Sequence, residues 1–281
     1  MARASTDRQA LLLMLPSYAM LVLTFVAPLV WFFVRVLLID ASPAALPETI
    51  ANVITSRPML IATVATNWIS LLVTATTLLL GYPIAYYLAN RGGIGFTLVV
   101  FCVIVPYFTS VIVRTYSWMV LLGRNGIINQ LLIGTGLAQE PLPLLYNKFA
   151  IVVGMTYVLL PYMVLTLYAA MKAIDPSLTR AAQALGADAL YVFRRVYFPL
   201  TLHGVISGSL IVFILAIGFF ITPALMGGPS DVMVAMLIER SIEITLDWPT
   251  ATVMSLFLLL VTLVLYAIYY RVTDIRRLMG G

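Results

Sequence analysis

Six stretches of this chain are each apolar over the length a helix needs to cross a lipid bilayer, and little else about it is free to vary. They run over residues 12–39, 60–89, 94–122, 149–171, 200–223 and 250–270. A helix advances 1.5 Å per residue, so about 20 apolar residues cover the roughly 30 Å of hydrocarbon. Inside lipid every backbone N–H and C=O must be paired within the protein, which leaves the helix as the structure for such runs. Only 10% of the 281 residues are charged, against roughly 25% in a soluble domain. The sequence predicts an all-α membrane protein with six transmembrane helices in a single domain, residues 1–281.

Arg3 and Arg8 precede the first run, as in a secretory signal. The apolar stretch is too long for one and ends in Arg35, so an uncleaved span is expected. Six spans put both termini on one side. Ten basic residues fall on that side: Arg3, Arg8, Arg91, Lys172, Arg180, Arg194, Arg195, Arg271, Arg276 and Arg277. Six fall on the other: Arg35, Arg57, Arg114, Arg124, Lys148 and Arg240. Lys and Arg collect on the cytoplasmic side, so both termini and the loop between the fourth and fifth runs are expected there. The opposite loops hold Asp40, Glu48, Glu140, Asp231, Glu239, Glu243 and Asp247, and the stretch "IINQLLIGTGL" suits a short helix at the membrane surface. The net charge of +5 reports loop orientation rather than a nucleic-acid surface. Cys102 is the single cysteine, so no intrachain disulfide is possible.

The runs themselves exclude several function classes. None contains Asp or Glu, and the one histidine, His203, sits at an end of the fifth. Proton-driven carriers place such groups within their spans. The chain has no GxxxxGK[ST] phosphate loop, no metal-ligand pair and no Ser-His-Asp set, so it is not expected to be an enzyme. Any ATP-driven engine belongs to another polypeptide. Pro16, Pro28, Pro83, Pro106 and Pro161 interrupt the runs, as gating hinges or as tolerated kinks. Gly204 and Gly208 form a GxxxG face that permits close helix approach. Arg114 lies about eight residues inside the third run, roughly 12 Å from its outer end. It either snorkels or pairs with an outer carboxylate, or it stands beside a translocation path.

The loop at about 172–199 contains "RAAQALGADALYVFRRVYFP". Asp175 and Pro176 mark a helix start, by capping and by the fixed φ of proline. Leu178, Ala181, Ala182 and Leu185 then form one apolar stripe at helical spacing. Gly186 ends that helix by taking positive φ. Asp188 caps a second short helix carrying Leu190, Phe193 and Val196, which Pro199 is expected to close before the fifth span begins. The stripe suits either a groove in another protein or a lipid headgroup surface.

These residues resemble a known family. Permease subunits of ATP-binding-cassette importers carry E-A-A-x-x-x-G, nine residues, then I-x-L-P. Ala181, Ala182, Gly186, Val196 and Pro199 stand at the matching positions, Phe198 stands where Leu is usual, and Arg180 replaces the acidic residue. "VPYFTSVIVRTYSWMVLLGRNGIINQLL", "VLLPYMVLTLYAAMKAIDPSL" and "TPALMGGPSDVMVAMLIE" are similar to the spermidine/putrescine-type branch, and the likeness covers most of residues 70–270. The resemblance implies the type I importer permease fold in a bacterial inner membrane. It implies coupling through Arg180, Ala181, Ala182, Leu185, Gly186, Val196 and Pro199 to two ATPase subunits that use ATP and Mg. It also implies a second, different permease and a periplasmic or lipid-anchored solute-binding protein, with no cofactor in this chain.

A polyamine is the first expectation for the solute, with an amino-acid-derived compound or a phosphonate behind it. Tyr107, Phe108, Tyr116, Trp118, Tyr157, Tyr162, Phe219 and Phe220 are the candidate path, since aromatic faces attract ammonium groups; packing or an interfacial belt explains the same rings. Asp231, Glu239, Glu243 and Asp247 either line the outer mouth or dock the binding protein. A non-transporting assembly subunit is the other class, and it has no use for the spaced signature.

Overall fold

The computed structural model describes residues 14–40 and 46–279; Arg3, Arg8 and the first two residues of the run at 12–39 lie outside them. Regular structure among the described residues is helical. In order come α1 (Met14–Leu37), α2 (Leu46–Thr55), α3 (Arg57–Asn90), α4 (Ile94–Ile104), α5 (Val111–Leu122), α6 (Ile127–Gly134), α7 (Lys148–Lys172), α8 (Pro176–Ala184), α9 (Ala189–Ile217), α10 (Ile221–Met226), α11 (Val234–Glu243) and α12 (Trp248–Met279). α1, α3, α7, α9 and the Trp248–Ala267 part of α12 are each long and apolar enough to cross a membrane. The short helix expected within "IINQLLIGTGL" is α6.

Two of the expected spans differ from the structure. The run at 94–122 is not one straight helix: Ile94–Phe108 and Val111–Gly134 meet at 109°. Pro106 has no N–H to continue the helix, and a tight turn forms over Val105–Phe108. Thr109 then closes on it, with both its N–H (3.2 Å) and its hydroxyl (2.7 Å) donating to the Pro106 carbonyl. The fifth span is shifted as well. Pro199 does not close a separate helix, because α9 runs unbroken from Ala189 and stops at Ile217 rather than 223. A widened turn over Phe193–Tyr197, in which the Phe198 N–H reaches back to the Phe193 carbonyl, precedes the proline. That single π-type turn gives the ring room, so the chain stays helical.

α3, α7 and α9 form the centre. Their shared core holds Ile69, Val73, Ile151, Met155, Leu159, Met163, Leu167 and Val212. Small residues set how closely they pack. A Cβ on Gly204 would fall 2.4 Å from the Ala170 Cβ, and one on Gly208 would fall 2.9 Å from the Met163 sulfur. Met163 also presses on Gly81, at 2.9 Å from where a Cβ would stand. The GxxxG face of α9 therefore meets α7, and Met163 wedges the three-helix joint. Hydroxyls cross the same contacts: Thr76 to Thr156 at 2.7 Å and Tyr82 to Thr201 at 3.0 Å. Such bonds in membranes contribute about 0.6 kcal/mol each on average, so packing rather than hydrogen bonding holds the centre.

A second core joins α2, α3, α11 and α12 around Val53, Met59, Ala62, Val234, Val253 and Met254. α10 lies against α5 and α7, where Thr222 is fully buried and shares a 3.0 Å hydroxyl bond with Thr115. α1 has exposed side chains from Met14 through Phe32, so that face is left to lipid or to another chain.

Candidate functional site

The loop at 173–199 follows its sequence reading closely at the first helix. The Asp175 carboxylate accepts from the Ser177 N–H at 2.8 Å, and Pro176 occupies the first turn of α8. That backbone N–H holds the Asp175 carboxyl below its usual range; the Ser177 hydroxyl and the nearby Arg180 charge add to the effect. α8 ends with two reverse bonds, Gly186 N–H to Gln183 O at 3.0 Å and Ala187 N–H to Ala182 O at 3.2 Å. This is the Schellman pattern. Gly186 has φ +87°, and a Cβ there would meet nothing within 4 Å. Glycine is required at that position by backbone conformation alone, not by space. The Asp188 carboxylate next accepts from the Tyr191 N–H at 2.8 Å and starts α9.

No residue of α8 is buried. Leu178 and Ala181 are exposed, Leu185 is 90% exposed, and Ala182 is half-buried. Ala182, Leu185, Gly186, Ala187, Asp188 and Tyr191 line a shallow depression beside the turn. Arg180 and Pro199 are exposed and Val196 is half-buried. The loop thus presents its apolar stripe outward.

Of what braces it, only Phe193 and Phe198 were singled out from the sequence. Phe193 and Tyr197 on α9 pack edge-on against Tyr86 of α3, at 5.7 and 5.2 Å between ring centres. Tyr82 adds contacts to Phe193 and Phe198. The Asn90 amide donates to the Tyr197 hydroxyl at 3.1 Å. The signal was available as aromatics four apart on both helices, Tyr82/Tyr86 and Phe193/Tyr197. They join α8 to the central bundle through a continuous, stiff stem.

The break in the third span gathers some of the aromatic candidates. The rings of Tyr107 and Tyr162 are 5.6 Å apart, those of Tyr107 and Phe108 5.7 Å, and those of Trp118 and Tyr157 5.5 Å. Thr109, Val113, Arg114, Ser117, Trp118, Leu121 and Tyr157 line a cavity of about 280 Å³. Tyr116 and Phe220 are exposed elsewhere, and Phe219 packs against the central core; none of the three joins these ring pairs among the described residues. Arg114 is 8% exposed, and its Nε and Nη1 have no hydrogen-bond partner.

The four acidic candidates separate. Asp231 is 3% exposed; it accepts from the Gly228 N–H at 3.2 Å and lies 4.0 Å from the Lys148 ammonium. It ties the loop before α11 to the start of α7. Asp247 is exposed and accepts from the Thr250 N–H at 3.1 Å, at the start of α12. Glu243 is exposed, and half-buried Glu239 shares a cavity of about 590 Å³ with Arg240, Pro58 and Ile244.

Five helices long and apolar enough to cross a membrane thus carry an outward-facing loop helix on a braced stem. Residues 78–276 match the family described as binding-protein-dependent transport system inner membrane component, and the chain belongs to that family. It is 35% identical over 229 residues to the spermidine/putrescine transport system permease protein PotB of Haemophilus influenzae, a match covering 81% of this chain and 80% of the relative. With PotB of Escherichia coli K12 it shares 34% over 202 residues, 72% of this chain and 74% of the relative. The crystal structure of a bacterial alginate ABC transporter, in complex with an alginate pentasaccharide-bound periplasmic protein, contains a chain that superposes with TM-score 0.68. Identity is 18%, and 97% of each chain is covered. The fold is that of type I ABC importer permeases, as expected.

Proposed function

We propose that this chain is a polyamine-importing permease subunit, driven by two separate ATPase subunits that use ATP and Mg and fed by a solute-binding protein on the outer face. A second, different permease completes the path, both termini are cytoplasmic, and residues 1–281 act as one membrane domain. The observation that carries the coupling part is α8: a capped helix with an exposed apolar stripe, stopped by Gly186 at φ +87°. Ala181, Ala182 and Leu185 enter the ATPase groove, with Arg180 at its rim. ATP binding closes the ATPase pair and draws the coupling helices together. Because α9 is continuous from Ala189, that movement passes straight into a central span and turns the cavity outward. Support for the polyamine is the likeness to PotB over about four-fifths of both chains.

The test uses the assembled complex in proteoliposomes. Loaded binding protein should stimulate ATP hydrolysis and drive uptake of spermidine or putrescine, while the isolated chain binds no nucleotide. Gly186→Val places a β-branched residue at positive φ, a genuine outlier. It should cut uptake at least tenfold and leave ATP hydrolysis insensitive to the binding protein, with insertion and assembly intact. Normal uptake by an assembled Gly186→Val complex would remove this loop from coupling.

A further inference from the structure

Arg114 is a buried charge with no carboxylate partner among the described residues. It sits on α5 just past the break in the third span, more than nine-tenths buried, with two guanidinium nitrogens unbonded. An uncompensated buried charge is strongly unfavourable. No Asp or Glu occurs in any of the membrane-crossing segments. Asp231 is the buried carboxylate among the described residues, and Gly228 and Lys148 already engage it.

We infer that Arg114 is the socket for a carboxylate side chain that the second permease carries within the membrane. The cavity of about 280 Å³ has room for one such side chain, and Thr109 and Ser117 line it beside Arg114. A guanidinium offers two parallel N–H donors to a carboxylate, which makes the contact directional as well as charged. A second copy of this chain has no intramembrane acid to offer, so the partner is a different polypeptide. A polycationic solute is repelled by Arg114; this exclusion rests on the polyamine reading.

The test measures association of the two permeases in the full complex. Arg114→Gln should weaken it at least tenfold, because it leaves the partner's acid buried and unpaired. Each Asp and Glu in the second permease's spans is neutralised in turn, with this chain left wild-type, and one such change should produce the same loss. Combining that change with Arg114→Gln should restore association, since both charges leave together. Unchanged association in Arg114→Gln overturns the proposal, as does the absence of any rescuing acid. If Arg114→Gln assembles normally but changes which charged solutes are moved, the guanidinium faces solute and the proposal fails. If neutral detergent-purified complex loses the effect until anionic lipid is restored, the occupant is a lipid phosphate, and it fails equally. An error in the polyamine reading would show instead in the solutes that the wild-type complex carries, with the association results untouched.

Discussion

The close approach of α7 and α9 predicts an effect of one methyl group. In Gly204→Ala the new Cβ would stand 2.4 Å from the Ala170 Cβ. Carbons rest at about 3.5–4.0 Å, so the helices must part by roughly 1 Å. Ala170 has no rotamer to change, and its own Cα is 3.9 Å from the added atom, so the strain falls on backbone. Overpacking of this kind costs about 1–3 kcal/mol. At Gly208 the obstacle is the Met163 sulfur at 2.9 Å, the end of a flexible side chain, so Gly208→Ala should cost less. The assay is unfolding of the purified chain in mixed micelles by SDS titration, with tryptophan fluorescence as the signal. Gly204→Ala should lower stability by about 1–3 kcal/mol. Adding Ala170→Gly should recover most of it, less the roughly 1 kcal/mol a helical glycine costs. A double variant whose loss equals the sum of the Gly204→Ala and Ala170→Gly losses would refute the argument, because the two atoms would then not be competing for one space.

Three further outcomes follow from the geometry. Thr115→Val should destabilise by about 1 kcal/mol by leaving the buried Thr222 hydroxyl without its partner, Thr222→Val should cost less because the Thr115 hydroxyl keeps its bond to the Val111 carbonyl, and the double variant should be closer to wild type than Thr115→Val in the same titration. The folded Asp175 carboxyl is held below its unfolded value, so its contribution is present above the unfolded value of about 3.9 and lost only as pH falls through the folded one. Amide exchange at Ser177, corrected for intrinsic rate, should stay protected from pH 7 down to about pH 4; loss of protection already between about pH 6 and 5 would contradict the cap. Replacing Glu239 and Asp247 by amides should raise the apparent KM for a cationic solute and flatten its salt dependence if they attract solute, or weaken binding-protein docking if they hold that partner. No change in either would take both residues out of the mechanism.

Hydropathy located the spans because burial in lipid depends on composition summed over about 20 residues. It could not locate the break at 105–110, since a bent run is as apolar as a straight one. Five prolines stood out in the sequence and only Pro106 breaks its span. Pro83 and Pro161 lie inside α3 and α7, whose packing against each other and α9 keeps the chain helical around them. Pro106 has exposed neighbours, Phe108 at 81%, and a threonine three residues on that captures its carbonyl twice. The same competition, decided the other way, explains Pro199: a widened turn takes up the ring, and Tyr86 and Tyr197 hold the stem together.

The candidate site divides along the same line between local and non-local causes. Asp175, Gly186 and Asp188 were readable because each satisfies a backbone requirement within four residues of itself, so their roles travel with the sequence. Asp231 was grouped with three surface acids because nothing in its neighbourhood records Lys148, 83 positions away, or the burial that the Gly228 turn imposes. Arg114 is the extreme case. A lone arginine in an apolar run leaves snorkelling, a pair with an outer carboxylate or a place beside the path all open, and the fold adds that the guanidinium is buried beside Thr109, Ser117, Trp118 and Tyr157 with two of its nitrogens unbonded. Among the described residues the other buried side-chain polar atoms without a partner are the Ser70 and Thr252 hydroxyls, far cheaper to leave open than a guanidinium, and that difference is why the proposed contact with a second permease is placed at Arg114.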